Sequence, residues 1–297
     1  MHRFIVDCLH EELPLLRRLG LALTAGVLSV GIVAPAMGIP VVDATTPQAQ
    51  RAVAAKLQLL VEKPVVRITA AKSVTEGDRL TVRVRVGSAK QARTVQLLME
   101  TKSIFGSVSW EPVKRKQVKG KASQQFVVTV TDENHERYRA RVTYKDRKAV
   151  TTSPVRVTVW RWINLIAFRP YSSTGGVWDS FHQPAFTMNG TTYHGWQTFS
   201  SYPSWESGYT PGRNCKAFRG DLGVTDSSAD GSSATITVMA NDTRLVYASP
   251  SLTPGMVKKV TLNLAKPYRF SIQARNTSPD SLRAYPAIGN PQFLCTY

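Results

Sequence analysis

Aromatic side chains are concentrated in one short stretch of the chain, and residues of these types can bind a sugar. Nine of them fall between residues 178 and 209, where the composition of the whole chain predicts about three. Sugars present C–H faces that pack on aromatic rings, and Trp and Tyr add a polar group to an apolar body. Trp196, Trp205 and Tyr209 lie among Gly, Ser, Pro and Thr, a composition typical of surface loops. We therefore consider two interpretations of these three rings, ligand stacking and core packing, with Tyr193 as a further ligand candidate.

Polar residues near these rings could bond the hydroxyl groups of the same ligand. The candidates are Asn189, His194 and Glu206, selected by their proximity in sequence. By contrast, Phe186 and Phe199 are predicted to belong to the core. Together these residues predict a site for a neutral or weakly acidic glycan.

A catalytic reaction is not indicated by the sequence motifs. The chain contains no Gly-x-Ser-x-Gly elbow, no His-Glu-x-x-His pair and no glycine-rich phosphate loop. A glycosidase needs two carboxylates that converge on one bond, and residues 161–297 contain a single Glu, Glu206. Nothing in the spacing of Asp179 favours its convergence with Glu206. We therefore predict that the protein is not an enzyme.

Three aspartates near glycines are weak candidates for a structural calcium site. Asp221, Asp226 and Asp230 are closely spaced, and carboxylate oxygens are the ligands that Ca²⁺ prefers. Their spacing matches no EF-hand loop. The alternative is that they are solvated turn residues, with Asp226 bonding backbone amides. No other cofactor is indicated.

The start of the chain has the pattern of a targeting segment, predicted over residues 1–44. Arg17 and Arg18 precede an uncharged, apolar stretch that contains the small-residue motif Ala34-Pro35-Ala36. We expect cleavage near Met37 or Thr45, with an uncleaved membrane anchor as the alternative, since the stretch is about long enough to span a bilayer. Membrane attachment is expected only in that second case. The protein is therefore predicted to be secreted or held at the cell surface.

Two cysteines remain after the predicted cleavage. Thiols in exported chains usually pair, and no Cys or His lies near either residue at the spacing of metal ligands. We therefore predict a disulfide between Cys215 and Cys295.

The rest of the chain divides into three segments. Residues 45–63 have the apolar spacing of a short helical linker. Residues 64–160 alternate like roughly seven short strands, the pattern of an immunoglobulin-like sandwich common in secreted bacterial proteins. Tyr138 is a candidate for the tyrosine-corner hydroxyl of such a domain. Residues 161–297 alternate in the same way, so the fold class is predicted to be all-β.

Most of the positive charge belongs to the middle segment. The whole chain carries a net charge of +18, and residues 64–160 hold 20 Lys and Arg against 8 Asp and Glu. A field of that sign attracts polyanions such as nucleic acid, anionic lipid or the anionic polymers of a cell wall. Export argues against a nucleic-acid partner, so an anionic wall polymer is the expected partner of this segment.

The last segment resembles a known family of modules. It contains Asn-Gly-Thr-Thr-Tyr-His-Gly at 189–195, Cys-Lys-Ala-Phe-Arg-Gly-Asp-Leu-Gly-Val-Thr-Asp at 215–226, and Ala-Ile-Gly-Asn-Pro-Gln-Phe-Leu-Cys at 287–295. In order and spacing these runs resemble the NPCBM family of carbohydrate-binding modules, often attached to secreted glycosidases. The resemblance covers nearly half the chain and implies a galactose-binding-like jelly roll that binds glycan. Such modules often have Asp-Gly where this chain has Asn241-Asp242, and both pairs suit the same turn.

These observations predict an exported, non-catalytic, two-domain protein that binds glycan at the cell surface or in the medium. One alternative is a structural or adhesion protein whose basic domain holds a polyanionic wall polymer, with the second domain as a spacer. Another is an accessory module that serves a separate glycosidase.

Overall fold

The computed structural model describes residues 64–131, 136–178, 185–200, 202–279 and 282–296. The targeting segment predicted over 1–44 and the helix predicted over 45–63 lie outside the described residues. Apart from one 3-10 turn at Leu165–Ala167, all regular secondary structure within the described ranges is β-strand. The predicted all-β class is confirmed.

None of the helical structure in these ranges has the length and apolar character needed to cross a membrane.

Ten strands precede the 3-10 turn. They are β1 (Val66–Ala70), β2 (Ser73–Thr75), β3 (Arg79–Val86), β4 (Ala92–Lys102), β5 (Val108–Gln117), β6 (Ser123–Thr129), β7 (Arg137–Tyr144), β8 (Val150–Thr151), β9 (Val155–Arg156) and β10 (Thr158–Asn164). One antiparallel sheet has the order β1-β3-β6, and the other has the order β5-β4-β7-β8, with β9 also paired to β7.

These two sheets form the first sandwich because each buries one face of alternating residues. On β3, Leu80, Val82 and Val84 are buried, whereas the Thr and Arg residues between them are exposed. They pack with apolar residues of β4, β6 and β7 in one core that includes Phe126 and Tyr138. Burial of each Val or Leu side chain contributes about 1.5–3 kcal/mol to folding.

Twelve strands follow the 3-10 turn. They are β11 (Ser172–Thr174), β12 (Val177–Trp178), β13 (Phe186–Met188), β14 (Thr191–Tyr193), β15 (Gly195–Thr198), β16 (Ser204–Tyr209), β17 (Cys215–Val224), β18 (Ala234–Ala240), β19 (Arg244–Ala248), β20 (Val257–Asn263), β21 (Phe270–Asn276) and β22 (Pro286–Cys295).

The second sandwich packs a five-stranded sheet against a sheet of β12, β15, β22, β10, β17 and β20. Through β10 this larger sheet also includes β2, whose Val74 packs against the core of the first sandwich. The five-stranded sheet has the order β11-β16-β21-β18-β19. In the other sheet, β22 pairs with β17, β15 and β10. Strand β20 pairs with the edge of β17 that faces away from β22. Aromatic rings fill the space between the sheets, with Phe270 4.8 Å from Phe293 and 5.0 Å from Phe218 between ring centroids. The hairpin β13–β14 packs separately against β22.

Strand β10 belongs to both sandwiches. Its first residues, from Thr158 to Trp160, pair in parallel with β2 of the first sandwich. Its last residues, from Arg161 to Asn164, pair antiparallel with β22 of the second. The boundary predicted between residues 160 and 161 therefore falls inside a continuous strand.

The predicted disulfide is confirmed. Cys215 begins β17 and Cys295 ends β22, where the two residues are direct partners in the antiparallel register. Their sulfur atoms are 1.97 Å apart, and the bond joins positions separated by 80 residues. Both cysteines are fully buried in the core of the second sandwich.

Candidate functional site

The three rings predicted to stack on a ligand are core residues, so that prediction is wrong. Trp196 and Tyr209 have no exposed surface, and Trp205 is 1% exposed. The segment interpreted as a loop is strand β16, on which Trp205, Ser207 and Tyr209 alternate inward at the period of two. That spacing is the signal in the sequence that identifies Trp205 and Tyr209 as buried.

The polar groups of the two tryptophans are also satisfied inside the protein. The Trp196 Nε1–H donates to the Ser207 hydroxyl at 2.9 Å, and the Trp205 Nε1–H donates to the Ser200 carbonyl at 3.2 Å. Buried aromatic N–H groups usually find such partners. Neither indole can therefore offer a ring face or a donor to a glycan.

Two other predicted ligand residues belong to the hairpin β13–β14. Tyr193 is 8% exposed and its ring stacks on that of Phe186, with centroids 6.2 Å apart. The burial of Phe186 confirms its predicted place in the core. Tyr193 also lies against Gly289, where an added Cβ would come within 2.2 Å of the Tyr193 ring. Asn189 is exposed at the turn, and neither Asn189 nor Tyr193 belongs to the sheet that contains Glu206.

Asp226 holds the turn of the same hairpin. Its carboxylate accepts hydrogen bonds from the backbone N–H groups of Asn189 at 2.7 Å and of Gly190 at 3.0 Å. Both turn residues have positive φ angles of 50° and 71°, so the turn gains from an external acceptor. The alternative interpretation of Asp226, as a residue that bonds backbone amides, is confirmed.

The calcium candidates are not brought together. Asp221 lies on β17, Asp226 is engaged at the hairpin turn, and Asp230 is an exposed turn residue. Across the part of the chain that the structure describes, no three His, Cys, Asp or Glu side chains group at a spacing that could hold a metal ion. The structure therefore gives no support to the three-aspartate set.

Glu206 has a different setting from the other predicted ligand residues. It lies on β16 between inward-facing Trp205 and Ser207, so its side chain points to the outer face of the five-stranded sheet. In the register of that sheet it lies beside Gln273, which in turn lies beside Thr237. On its other side Glu206 pairs with Thr174. This register places a row of four polar side chains across four strands.

A second row of polar residues extends this surface. Arg275 pairs with Ser204 on one side and with Thr235 on the other. The two rows line a groove of about 470 Å³. We name it the polar groove, and its principal residues are Thr174, Glu206, Thr235, Thr237, Gln273 and Arg275.

Three aromatic residues adjoin the polar groove along the chain, in the segments between Thr174 and Ser204, and the first of them, Trp178, is half-buried. Trp178 and Phe199 lie with ring centroids 5.0 Å apart, and Phe199 is 52% exposed. Tyr202, three residues beyond Phe199, is 51% exposed. We name these three residues the aromatic rim. The prediction that Phe199 belongs to the core is wrong, because Phe199 follows the last residue of β15 and leaves the sandwich there.

Backbone contacts fix the aromatic rim beside the groove. The Ser200 hydroxyl donates to the Gly175 carbonyl at 2.9 Å, and the Phe199 N–H donates to the Gly176 carbonyl at 3.3 Å. Gly175 has a φ of 83°, and a Cβ there would come within 2.7 Å of the Trp205 ring. Only glycine suits this close approach. The segment from Thr174 in the groove to Trp178 in the rim is therefore anchored on a buried tryptophan.

A further aromatic residue lies at the other end of β11. Tyr171 is 48% exposed and lies over Gly208, where an added Cβ would be 2.5 Å from its ring. Its hydroxyl donates to Asp242 at 3.3 Å, and Arg269 pairs with the same carboxylate at 3.0 Å. Burial, followed by the charge of Asp242, raises the pKa of Tyr171. The Asn241-Asp242 turn that carries this carboxylate has two positive φ angles of 51° and 65°, as a type I′ hairpin turn requires.

Comparisons with known proteins give weak likenesses only. No protein-family model matches the chain, and no curated protein matches it. Solved structures with some likeness include a CBM51 module from Clostridium perfringens GH95 in complex with methyl-galactose, at 17% identity and a TM-score of 0.37, covering 44% of this chain and 99% of that one. Another holds the CBM51-2 and INT domains of Clostridium perfringens ZmpB, at 15% identity and a TM-score of 0.36, covering 54% of this chain and 37% of that one.

A third structure contains the M60 catalytic domain of ZmpB with its CBM51-1 and CBM51-2 domains. It has 14% identity and a TM-score of 0.38, and it covers 80% of this chain. This chain spans 32% of the length of that one. Likenesses at these scores carry no inference about the ligand of this chain.

Proposed function

We propose that the second sandwich is a non-catalytic glycan-binding module and that the polar groove with its aromatic rim is the binding site. The observation that carries the proposal is the outward row of Thr174, Glu206, Gln273 and Thr237. Exposed Phe199 and half-buried Trp178 lie on the segments that adjoin Thr174 and Gly176. The resemblance of residues 189–295 to carbohydrate-binding modules supports the same function.

The groove has the chemistry that a sugar requires. The Glu206 carboxylate accepts hydrogen bonds from hydroxyl groups, the Arg275 guanidinium donates them, and the Gln273 amide does both. The C–H face of a sugar ring can pack on Phe199, which supplies apolar area at the groove end. With one carboxylate and one guanidinium, the groove favours a neutral glycan over a strongly charged one. We expect modest affinity, because an open groove leaves much of the ligand in water.

Binding without hydrolysis follows from the carboxylates present. Glycosidases place two carboxyl groups about 5–9.5 Å apart around the scissile bond. Glu206 is the one carboxylate among the residues that line the polar groove. We therefore propose a binding module, which acts alone or as an accessory to a separate glycosidase.

A glycan array probed with the full chain tests the proposal. The glycan that binds is then titrated by calorimetry against Phe199→Ala, Gln273→Ala and Glu206→Gln. Each variant should weaken binding about tenfold or more without changing the unfolding midpoint, because all three side chains point to solvent. Phe105→Ala, at an 89% exposed position of the first sandwich, is the matched control for Phe199. Normal glycan binding by all three groove and rim variants would refute the location of the site.

A second proposal concerns the first sandwich, which we infer to be immunoglobulin-like. The order β1-β3-β6 against β5-β4-β7 is that of the A-B-E and C′-C-F strands of such domains, and this order supports the inference. One departure is Tyr138, whose buried hydroxyl has no hydrogen-bond partner in the described ranges and so forms no tyrosine corner there.

The charge of the first sandwich supports binding to an anionic wall polymer. Residues 64–160 hold 20 Lys and Arg against 8 Asp and Glu, so this sandwich carries most of the positive charge of the chain. Such binding should weaken steeply with salt, because exposed charges are screened within roughly 8–10 Å. Retention on an anionic polymer that does not change with salt concentration, or no retention at low salt, would contradict this proposal.

We further propose that the protein acts outside the cytoplasm, at the cell surface or in the medium. The buried disulfide supports this, because such bonds persist in oxidising compartments and are rare elsewhere. The basic residues and apolar stretch before residue 45 support it as well. N-terminal sequencing of exported protein tests the cleavage, and an intact leader recovered in membranes would show an anchor instead.

A further inference from the structure

The outer face of the β5-β4-β7 sheet contains a groove of about 600 Å³. Leu98, Pro112 and Trp110 are among the residues that line it. Two arginines of β7, Arg139 and Arg141, face into it. We name this surface the arginine groove. It lies on the opposite sheet of the first sandwich from Arg83 and Arg85.

Arg139 is held in place by an aromatic ring. Its guanidinium carbon lies 4.1 Å from the centroid of the Trp110 ring, within the range of a cation–π contact. Contact with a ring restricts the planar guanidinium group and leaves its outer N–H groups to bond an anion in a fork. Within the described ranges the buried Nε–H of Arg139 has no hydrogen-bond partner, so the fold does not fix the guanidinium group through this atom.

A neighbouring arginine shows the contrast. Arg137 also lies near Trp110, with 6.0 Å between its guanidinium carbon and the ring centroid. However, Arg137 forms an ion pair with the buried carboxylate of Glu100 at 2.6 Å. The fold therefore neutralises Arg137, whereas Arg139 has no acidic partner among the residues that the structure describes.

Two further cations share the groove with Arg139. Arg141 lies two residues along the same strand face, so the two Cα atoms are about 7 Å apart. Lys148 joins them from the connection between β7 and β8. None of these three side chains forms an ion pair within the described ranges. Like charges gathered in a half-enclosed groove repel one another, and a bound anion would relieve that repulsion.

We propose that the arginine groove is a specific site for a linear polyanion with closely spaced carboxylate or phosphate groups. Arg139 and Arg141 bond successive anionic groups along the polymer, and Lys148 neutralises the charge that remains. The inference rests on the proposal that the first sandwich binds polyanions, and it assigns that binding to one surface. On the opposite face, Arg83 and Arg85 offer exposed charge, and neither has a cation–π contact within the described ranges.

The test compares two double variants that remove the same charge. In the full chain, Arg139→Gln with Arg141→Gln changes the groove, and Arg83→Gln with Arg85→Gln changes the opposite face. An oligogalacturonate supplies carboxylates as the probe, and a polyphosphate of similar length supplies phosphates. Binding is measured by calorimetry at low and at physiological salt, and urea unfolding checks the fold of each variant.

The groove variant should lose about tenfold or more in affinity for at least one probe, and the control variant less than about threefold. The probe that binds identifies the anionic group. Arg139→Lys keeps the charge but loses the fork, and should recover only part of the affinity. Equal losses from the two double variants would overturn the specific site and leave the polyanion proposal standing. Absence of binding to both probes at low salt would overturn both.

Discussion

Replacement of Trp196 by Ala should destabilise the second sandwich severely. The ring is fully buried between two sheets, and its Nε1–H bonds the buried Ser207 hydroxyl at 2.9 Å. Truncation of a buried Trp to Ala costs about 3–5 kcal/mol, through lost transfer free energy and the cavity that remains. Ser207 keeps a contact with the Ser173 hydroxyl at 3.1 Å, so the loss of the indole does not leave it unpaired. The cost is therefore mainly that of the cavity.

The size of the effect can be measured in two ways. Urea unfolding of Trp196→Ala should show a free energy of unfolding lower by about 4 kcal/mol, and the melting temperature should fall by about 10 °C, since 1 kcal/mol shifts a chain of this size by about 2–4 °C. Trp196→Phe keeps most of the ring and loses the hydrogen bond, so it should cost about 1–2 kcal/mol.

The matched variant is Phe199→Ala, which truncates an aromatic ring three residues away. Because Phe199 is 52% exposed, its loss should change the free energy of unfolding by less than about 0.5 kcal/mol. It should weaken glycan binding instead. A Trp196→Ala protein as stable as wild type but unable to bind glycan would refute this reasoning and restore Trp196 as a ligand residue.

Three other predictions concern bonds and charges within the two sandwiches. Labelling of the native, unreduced protein should detect no thiol at Cys215 or Cys295, and reduction of this 80-residue link should lower stability by about 4 kcal/mol. Burial raises the pKa of Tyr138 to about 12 from 10.0. As the pH rises, the unfolded state therefore loses this proton at a lower pH than the folded state. The free energy of unfolding should fall by about 1.4 kcal/mol per pH unit between the two pKa values. Tyr138→Phe should remove this part of the pH dependence in urea unfolding. Asp226→Ala removes the acceptor of two backbone N–H groups and should cost about 1–2 kcal/mol, whereas Asp230→Ala, an exposed control, should cost less than about 0.5 kcal/mol.

The aromatic stretch shows how far local sequence can predict a site. Its composition indicated a concentration of rings beside polar residues, and Glu206 does lie in the proposed groove. The assignment of individual rings was wrong, because Gly, Ser and Pro around Trp205 were interpreted as a loop. Tyr171 covers Gly208 on the outer face of β16 and leaves little room there for a side chain. A small residue is therefore compatible with this strand.

The groove residues could not be selected from the sequence. Glu206, Gln273 and Thr237 are separated by dozens of residues, and they share a row only because β16, β21 and β18 are neighbours in one register. A shift of that register by one residue would turn each of these side chains inward. No local sequence pattern predicts which strands become neighbours in a sheet.

By itself the sequence determined the all-β class and the Cys215–Cys295 pair. Alternation of apolar residues is a local property with a period of two. Of the three cysteines in the chain, Cys8 lies in the predicted targeting segment, which leaves a single pair to predict. Only the tertiary structure decided which alternating face is covered. The strand neighbours bury Trp196, and Phe199 is exposed beyond the end of β15. Arg139 lies beside Trp110 and has no acidic partner in the described part of the chain. The physical reason is that burial and charge pairing depend on residues distant in the chain, whereas periodicity depends only on adjacent ones.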